Sequence, residues 1–330
     1  MENNTSRAET AAVGADGISI VIPNRNHARY VARAIDAYAA QTHRPDEIII
    51  IDDASGDDSW RQIEALARQH DVIRPVRSRE HKGINRTINQ GLALARGAFV
   101  VVAASDDLID PEFLRKCSRL MRAHPGAGFC FSDPSSFRVD GGKMRHHSFF
   151  ISDRAKYLGP DDIEGLLRKA AFTFPANSLF FRRTALMEIG GFIPELEWHA
   201  DWFAAHALGL RHGACYVPEN LAFFRVSPGS YSARAFATWK GHAGVVRHFL
   251  ELICGDFTDI GERLKRAAAI PEYDVRLIPL LLTHQARSRI LSPRLIARIL
   301  VRHAWSLVMP LLPWRLRRHV RPIVMAVRRR

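Results

Sequence analysis

The stretch EIIIIDDASG at residues 47–56 decides the fold of this 330-residue chain. Its unbroken apolar run is typical of a parallel strand buried on both faces, and the acidic turn DDASG ends it. Comparable runs occur at Ile18–Ile22, Val72–Val76 and Ala98–Ala103. Helix-like segments separate the four runs, so the pattern predicts an α/β fold, with a doubly wound, mainly parallel sheet flanked by helices. Ligands of such sheets bind at the carboxyl ends of the strands.

The chain divides into three parts by pattern. Residues 1–16 are polar and predict a flexible N-terminal arm. Residues 17–234 carry the alternation of strands and helices, which is regular over 17–111 and looser over 112–234. Residues 235–330 have a helical pattern with prolines as breaks, which predicts a helical C-terminal region ending in a basic amphipathic tail.

The positive charge of the chain is concentrated at one end. Lysines and arginines number 47 against 34 acidic residues, which gives +13 with the histidines neutral. Residues 271–330 hold 13 arginines, no lysine and two acidic residues, so they carry +11 and the rest only +2. Apolar residues make up 47% and charged residues 25%, which excludes a disordered or fibrous protein. The near-neutral body argues against a nucleic-acid-binding protein and leaves that class as the weakest alternative.

Cysteine usage and hydropathy bear on the compartment. The four cysteines form no C-x-x-C pair, which predicts free, mostly buried thiols in a reducing compartment. The first 17 residues lack an apolar core and predict no signal peptide. No uncharged apolar run reaches the roughly 18 residues that cross a bilayer. We therefore expect a cytoplasmic protein.

Two acidic pairs follow predicted strands. Asp52-Asp53 comes after the second strand and Asp106-Asp107 after the fourth. Because the carboxyl ends of parallel strands open onto one rim, four carboxylates are expected there. A hard divalent ion such as Mg²⁺ or Mn²⁺ would relieve their repulsion. The alternative for each pair is an ordinary turn or helix cap, where aspartate is common.

Six motifs occur in the order found in family 2 glycosyltransferases, and the chain resembles that family over about residues 17–232. The family has the GT-A fold, which is consistent with the predicted sheet. The motifs are IPNRN (Ile22–Asn26), IDDASGDDS (Ile51–Ser59), HKGINRTINQGLALARGAF (His81–Phe99), ASDDLIDP (Ala104–Pro111), GGFIPELEWHADW (Gly190–Trp202) and FRVSPGSYS (Phe224–Ser232).

The resemblance implies a nucleotide-sugar-binding half at residues 17–111 and an acceptor-side half at 112–234. It assigns Asp52 or Asp53 to the base and ribose, and Asp106 to the diphosphate and a Mn²⁺ or Mg²⁺ ion. Asp107 is assigned to the donor sugar or to support of the site. The donor-binding residues that it implies are Pro23, Asn26, Asp52, Asp53, Ser55, Lys82, Gly83, Asn89, Asp106 and Asp107.

The resemblance also implies a catalytic base, Asp201. This carboxylate would take the proton of an acceptor hydroxyl as that oxygen attacks the anomeric carbon, which inverts the anomeric configuration. The alternative is an acidic residue that a helix N-terminus favours. Trp198 and Trp202 flank it, and they either stack on an acceptor sugar or belong to the core.

Three positions depart from the family pattern. Ala104 replaces the first aspartate of the D-x-D motif, Ala200 replaces a glutamate beside the base, and Ser227 replaces a histidine. Two usual helpers of metal binding are thus missing. Either Asp106 binds the ion together with water and phosphate oxygens, or metal dependence is weak. A non-catalytic, regulatory protein of the same fold is the alternative that Ala104 keeps open.

The arginine-rich segment 294–330 predicts where the protein acts. Arg294, Arg298 and Arg302 recur at every fourth position, with apolar residues on the other side of the helix. Such a segment is expected to dock on an anionic membrane surface, here the inner face of the cytoplasmic membrane. The alternative is a helical cap that packs on the body.

The predicted function combines these inferences. It is an inverting, hexosyltransferase-type enzyme that uses a nucleotide-diphosphate sugar. Its acceptor would be a saccharide, including a lipid-linked one, in the synthesis of a cell-surface polysaccharide or glycolipid.

Overall fold

The structure is a computed structural model that describes residues 16–137, 144–169, 172–226, 239–285 and 287–308. Several predictions lie outside these residues. They concern the N-terminal arm up to residue 15, residues 227–232 of the last motif, including Ser227, and the tail from residue 309.

A single sheet of ten strands organises the described residues. Its order is β3-β2-β1-β4-β9-β6-β10-β5, with β7 beside β6 and β8 beside β10. The strands are β1 (Ile18–Asn24), β2 (Glu47–Asp52), β3 (Ile73–Arg77), β4 (Phe99–Val102), β5 (Leu108–Ile109), β6 (Phe129–Phe137), β7 (Arg145–His146), β8 (Lys156–Leu158), β9 (Phe180–Arg182) and β10 (Ala214–Arg225).

Twelve helices are described besides short 3₁₀ turns. They are α1 (Val31–Ala39), α2 (Ser59–Gln69), α3 (Ile84–Leu94), α4 (Phe113–Ala123), α5 (Pro160–Lys169), α6 (Arg183–Glu188), α7 (Ala200–His212), α8 (Trp239–Cys254), α9 (Thr258–Ala267), α10 (Ile278–Thr283), α11 (Arg287–Ile290) and α12 (Pro293–Val308). None of the helices in the described part of the chain is both long and apolar enough to span a membrane.

The sheet is covered on both faces, as the continuous apolar runs predict. Strands β3, β2, β1 and β4 pair in parallel, and all four isoleucines of β2 are fully buried. Ile48 and Ile50 pack with α1, α2 and α4, whereas Ile49 and Ile51 pack with α3 and α7. The α/β prediction is confirmed, since alternate side chains of one strand enter two separate cores.

The C-terminal helices add to the second of these cores. Side chains of α8, α9 and α12 belong to the same buried cluster as those of α3 and α7. From α12, Leu295 and Ile299 are fully buried there. The helical character predicted for this region is confirmed.

Two local details do not show in the sequence pattern. Val217 and Ala222 both belong to one long strand, β10, whose register against β6 shifts twice. Asp58 occupies the N-cap position of α2 without a side-chain cap hydrogen bond, while Asp57 Oδ1 accepts from the N–H of Ser59 at 3.0 Å. Periodicity does not reveal these details, because strand bulges and caps depend on neighbouring segments.

Candidate active site

The site lies where four strands end on the same rim of the sheet. β1, β2 and β4 run parallel to one another. β10 points the same way, because β9 is antiparallel to both β4 and β6, and β6 is parallel to β10. The segments after β1, β2 and β4 and the last residue of β10 therefore meet at this edge.

Asp52 shapes the first loop of the rim. Its Oδ1 accepts from Asn24 Nδ2 at 3.0 Å and its Oδ2 from the N–H of Ser55 at 3.1 Å. Ser55 Oγ in turn accepts from the N–H of Asn26 at 3.0 Å. The side chain of Asp52 is fully buried, so its carboxylate positions the loop, whereas Asn26 is exposed beside it. Pro23 is buried within β1.

Asp53 ties the end of β2 to the loop that precedes α3. Its Oδ1 accepts from the N–H of Lys82 at 2.8 Å, and its Oδ2 accepts from the N–H of Gly83 at 3.1 Å. His81 Nδ1 lies 2.7 Å from the same Oδ2. Gly83 has φ of +88°, a conformation that glycine adopts without a steric cost. Asp53, Lys82 and Gly83 are thus brought together as predicted.

Asn89, which the resemblance implies for donor binding, contacts the segment that precedes α7. Its Nδ2 donates to the carbonyl of Phe192 at 2.8 Å, and its Oδ1 accepts from the N–H of Phe192 at 2.9 Å. Asn85 Nδ2 donates to the carbonyl of Glu197 at 2.8 Å. Through these hydrogen bonds, both asparagines hold the segment before α7 against helix α3.

Asp106 and Asp107 meet Arg225, the last residue of β10. Arg225 Nη2 donates to Asp106 Oδ2, and the N–H of Arg225 donates to Asp107 Oδ1 at 2.8 Å. The guanidinium carbon lies 3.6 Å from the ring centroid of Tyr30. Burial raises the pKa of Asp107 to about 7; the charge of Asp106 also raises it, and the N–H of Arg225 opposes the rise.

A resident metal ion does not fit these residues. Ala104 offers no ligand, one oxygen of Asp106 is taken by Arg225, and both oxygens of Asp53 accept from the 81–83 loop. Across the described ranges, no group of three or more His, Cys, Asp or Glu is placed to hold a metal. Each of these carboxylates instead accepts at least one hydrogen bond from the protein.

Asp201 lies in the first turn of α7. Its Oδ1 accepts from the N–H of Trp202 at 2.6 Å. Burial raises its pKa; the N–H of Trp202 and the charge of His199 pull the pKa down without cancelling that effect. Just before the helix, Glu197 has φ of +45° and ψ of −116°, a strained backbone for a residue with a side chain. The clamp from Asn85 holds this strained residue in place.

A cavity of about 310 Å³ opens beside the start of α7. Glu272 lies on its wall, with Oε2 2.7 Å from His242 Nδ1 and 3.9 Å from His199 Nε2. Burial alone raises the pKa of Glu272, but hydrogen bonds from the two histidines outweigh it and leave the pKa below its usual range. Aromatic and charged side chains share the lining, among them Phe172, His199, Trp202, Glu272, Tyr273 and Arg302.

The two tryptophans near Asp201 differ in their surroundings. Trp202 is 7% exposed and stacks on His206, with ring centroids 3.8 Å apart, so it is mainly a core residue with one edge on the cavity. Trp198 is partly exposed and lies 5.1 Å from the ring of His242.

Sequence reasoning missed several residues of the rim. Arg225 and Tyr30 were not predicted, and neither was His27, whose Nδ1 lies 2.6 Å from Ser105 Oγ. Arg225 belongs to a quoted motif, but nothing local showed that this arginine would reach Asp106. The signal available in the sequence was a charged residue, Arg225, placed directly after the apolar run Leu221–Phe224.

Comparisons with known proteins find a matching family profile and several similar chains. The profile described as "Glycosyl transferase family 2" matches residues 19–190. An uncharacterized glycosyltransferase of Nostoc sp., alr2836, is 30% identical over 242 residues, which cover 68% of this chain and 70% of that protein. An uncharacterized Mycobacterium tuberculosis protein, Rv1520, is 30% identical over 251 residues, covering 72% and 69% of the two chains.

Two solved structures share the fold. Residues 1–349 of Staphylococcus aureus TarS in complex with UDP-GlcNAc match with a TM-score of 0.62 and 16% identity, covering 86% of this chain and 79% of that one. The mannosyltransferase PcManGT of Pyrobaculum calidifontis, in complex with GDP-Man and Mn²⁺, matches with a TM-score of 0.54 and 19% identity. The coverage is 89% of each chain. At these identities the likeness shows a common GT-A fold.

Proposed function

The chain belongs to glycosyltransferase family 2, and from that premise we propose that it transfers a sugar from a nucleotide-diphosphate sugar to a hydroxyl of a saccharide. The observation that carries the proposal is the shared rim. Asp53 with the 81–83 loop lies after β2, Asp106 lies after β4, and Arg225 ends β10, and these strand ends open onto one rim of the sheet. Helix α3 connects this rim to the segment that precedes Asp201.

The donor half of the proposal rests on groups that suit a nucleotide sugar. The family resemblance assigns Asp52 or Asp53 to the base and ribose, and the exposed Asn26 lies beside this loop. It assigns Asp106 to the diphosphate and Asp107 to the donor sugar or to support of the site, and Arg225 contacts both of these aspartates. TarS has been solved with UDP and with UDP-GlcNAc, and PcManGT with GDP-Man, so donors of both nucleotide types are candidates.

The chemical step is a single displacement with Asp201 as the base. The acceptor oxygen attacks the anomeric carbon, and its proton passes to the Asp201 carboxylate. The bond from that carbon to the diphosphate oxygen breaks, and the nucleoside diphosphate leaves. Attack opposite to the leaving group inverts the configuration, and we propose a hexosyl donor. A pKa above the usual range makes the Asp201 carboxylate a stronger proton acceptor than an ordinary aspartate.

The cavity beside α7 is the proposed acceptor site. Its size is at the lower end of the range of small-molecule sites, and it combines aromatic and charged groups. His199 and Trp202, on either side of Asp201 in sequence, both line it. A saccharide in this cavity would lie near the proposed base. We propose a glycan acceptor, including a lipid-linked one, of cell-surface polysaccharide or glycolipid synthesis.

Helix α12 supports a location at the cytoplasmic face of a membrane. Leu300, Val301 and Leu307 are 49%, 57% and 59% exposed on the side opposite its buried residues. The sequence beyond it, residues 309–330, contains seven arginines and no acidic residue. An exposed apolar helix face followed by such a segment suits an anionic lipid surface.

The lipid-binding role predicted for the arginines of α12 itself needs a correction. Arg298 Nη1 donates to the carbonyls of Ala267 and Ala268 at 2.8 and 2.9 Å, and Arg294 Nη2 donates to that of Arg168 at 2.8 Å. The predicted basic stripe therefore binds the body of the protein, because backbone carbonyls there accept its hydrogen bonds. The apolar face of α12 and the arginines beyond it would carry the proposed docking.

No step of the proposed mechanism is assigned to a metal ion. Mn²⁺ is a component of the PcManGT complex, whereas the described residues here do not fit a resident ion. A Mn²⁺ or Mg²⁺ ion that enters with the donor and rests on Asp106 stays a prediction of the family resemblance.

A donor screen tests the proposed function. Thermal unfolding is measured with UDP-, GDP- and dTDP-sugars, each with and without Mn²⁺. A donor present at about 100 times its Kd stabilises the folded state by about 2.7 kcal/mol, which raises Tm by several degrees. The donor that raises Tm is then tested for transfer to saccharide acceptors. Donor binding with no hydrolysis or transfer would favour the non-catalytic alternative, and no shift with any donor would contradict the proposal.

A further inference from the structure

Arg225 is held on several sides at the donor end of the sheet. It donates to Asp106 through Nη2, its backbone N–H binds Asp107, and its guanidinium lies over Tyr30. Only 9% of its side chain is exposed. These contacts come from segments that follow β1 and β4, so the arginine is fixed in the middle of the rim.

The guanidinium still has hydrogen-bonding capacity. Its Nε is buried and has no hydrogen-bond partner among the described residues. A guanidinium carries five N–H donors, and phosphate oxygens accept from two of them at once in a favourable geometry. Burying such a donor without an acceptor is costly, so the arrangement is suited to an anionic ligand.

Few carboxylates lie close enough to Arg225 to serve as ligands of a divalent ion. Ala104 removes one carboxylate of the D-x-D motif, and the remaining Asp106 already pairs with the guanidinium. The guanidinium of Arg225, a cation supplied by the protein, therefore already balances the charge of Asp106.

We propose that Arg225, and not a resident divalent ion, supplies the positive charge that binds the donor diphosphate beside Asp106. The inference rests on the proposed function, since it names the group that meets the donor in that reaction. Asp106 orients the guanidinium, Tyr30 fixes its plane, and Nε donates to the diphosphate. Negative charge grows on the diphosphate as the sugar departs, and a pre-positioned cation stabilises that charge without rearranging.

Lysine cannot replace arginine in this arrangement. An ammonium group is a compact point charge, so it can pair with Asp106 or with phosphate but has no planar face to lie on Tyr30. Arg225→Lys should therefore keep the positive charge but lose most of the diphosphate binding that Arg225 supplies. Arg225→Met removes the charge and keeps a similar side-chain length.

The first test measures binding of UDP and GDP by calorimetry, in EDTA and in Mn²⁺. For the wild type we expect affinities that differ by less than about threefold between the two conditions, a small change in free energy. Arg225→Met should weaken binding in EDTA by about tenfold or more, since a charge-assisted hydrogen bond is lost. Arg61→Met, at an exposed arginine paired with Asp58, is the matched control and should bind as the wild type does.

The second test measures Mn²⁺ binding alone, by the paramagnetic resonance signal of the free ion. The double variant Ala104→Asp/Arg225→Met restores the missing carboxylate and removes the competing cation. It should bind Mn²⁺ at least about tenfold more tightly than the wild type, because one charged competitor is gone. Adding Asp106→Asn to it should abolish the gain. Circular dichroism and thermal unfolding of each variant confirm that it is folded.

The outcomes separate the inference from the proposed function. Wild-type nucleotide binding that collapses in EDTA and returns with Mn²⁺ overturns the role of Arg225 and leaves the transferase role intact. Wild-type affinity in Arg225→Met, without added metal, also overturns it. If neither nucleotide binds in either condition, the proposed function fails, and the inference fails with it.

Discussion

Single aspartates of the site differ because of what surrounds each one. Asp52 and Asp53 are buried but receive hydrogen bonds that hold neighbouring loops. Asp107 is partly buried and receives fewer hydrogen bonds, and desolvation raises its pKa to about 7. Asp201 accepts the N–H of Trp202, yet burial keeps its pKa above the usual range. The same side chain thus serves as a structural anchor or as a candidate base, according to its donors and its burial.

Replacing Asp201 tests its proposed role as the base. Asp201→Asn should bind the donor as the wild type does and lose about 10²–10⁴-fold in kcat, the usual contribution of a general base. In the wild type, kcat/KM should fall as the pH drops through the pKa of Asp201, because the protonated carboxyl cannot accept a proton. This fall should begin at a higher pH than for an ordinary aspartate.

Asp71→Asn is the control for this measurement. Asp71 is 82% exposed and pairs with Arg44 at the surface, so this variant should keep the activity and the pH profile. Full activity of Asp201→Asn would remove Asp201 as the base. A pH profile of Asp201→Asn that falls at the same pH as that of the wild type would do so as well.

Among the elements, α3 connects the donor end to the proposed base. It begins next to Gly83, which donates to Asp53, and its asparagines hold the segment that leads into α7. That segment passes close to α3 at Gly191, where φ is +73°. A Cβ built on Gly191 would lie 2.6 Å from Asn89 Oδ1, so this close approach requires glycine.

A pair of glycine variants tests this connection. Gly190 and Gly191 both have positive φ, but a Cβ on Gly190 would meet nothing within 4 Å. Gly190→Ala should lower the free energy of unfolding by about 1 kcal/mol through backbone strain alone. Gly191→Ala should cost at least about 1 kcal/mol more, because it also displaces Asn89. Equal losses of Tm in the two variants would show that the Asn89 contact is unimportant.

The pair also has an expected effect on activity. If α3 sets the position of Asp201, Gly191→Ala should lower kcat more than Gly190→Ala does at a temperature where both are folded. A kcat that stays level in both variants would argue that the base is positioned by α7 alone.

In the molecule as a whole, the two sides of α12 face different surroundings. One side is buried through Leu295 and Ile299, and the other exposes large apolar side chains. Arg302 and His303 of the same helix line the proposed acceptor cavity. Docking of the apolar side on lipid would therefore bring the cavity near a membrane surface, which suits a lipid-linked acceptor.

Vesicle binding tests the proposed docking. Leu300→Glu/Val301→Glu/Leu307→Glu should reduce co-sedimentation with vesicles that contain phosphatidylglycerol by about tenfold or more, because apolar burial and charge attraction are both weakened. The wild type should bind neutral phosphatidylcholine vesicles far less, and added salt should release it.

Met187→Glu is the matched control, since Met187 is 43% exposed on α6, away from α12. Light scattering shows whether the wild type is a dimer. A wild-type dimer that the triple variant dissolves, with vesicle binding unchanged, would assign the apolar side to a second copy of the chain and contradict membrane docking.

The sequence by itself determined the fold class and the position, at the ends of strands, of the loops that we propose bind the donor. Continuous apolar runs such as Ile48–Ile51 can be satisfied only by burial on both faces, so a covered parallel sheet follows from local pattern. Aspartates directly after such runs must lie at the carboxyl ends of the strands, which is why Asp53 and Asp106 could be located.

Only the tertiary structure decided which partners these aspartates have. Arg225 and Asp106 are 119 residues apart, and they meet because β10 lies in the sheet with its end on the same rim as β4. Likewise the arginines of α12 turn to carbonyls of the body, although their spacing alone suggested a surface for lipid. Periodicity reports which side of an element is buried, but strand order and helix docking are set by long-range packing, so contacts between distant segments cannot be predicted from local pattern.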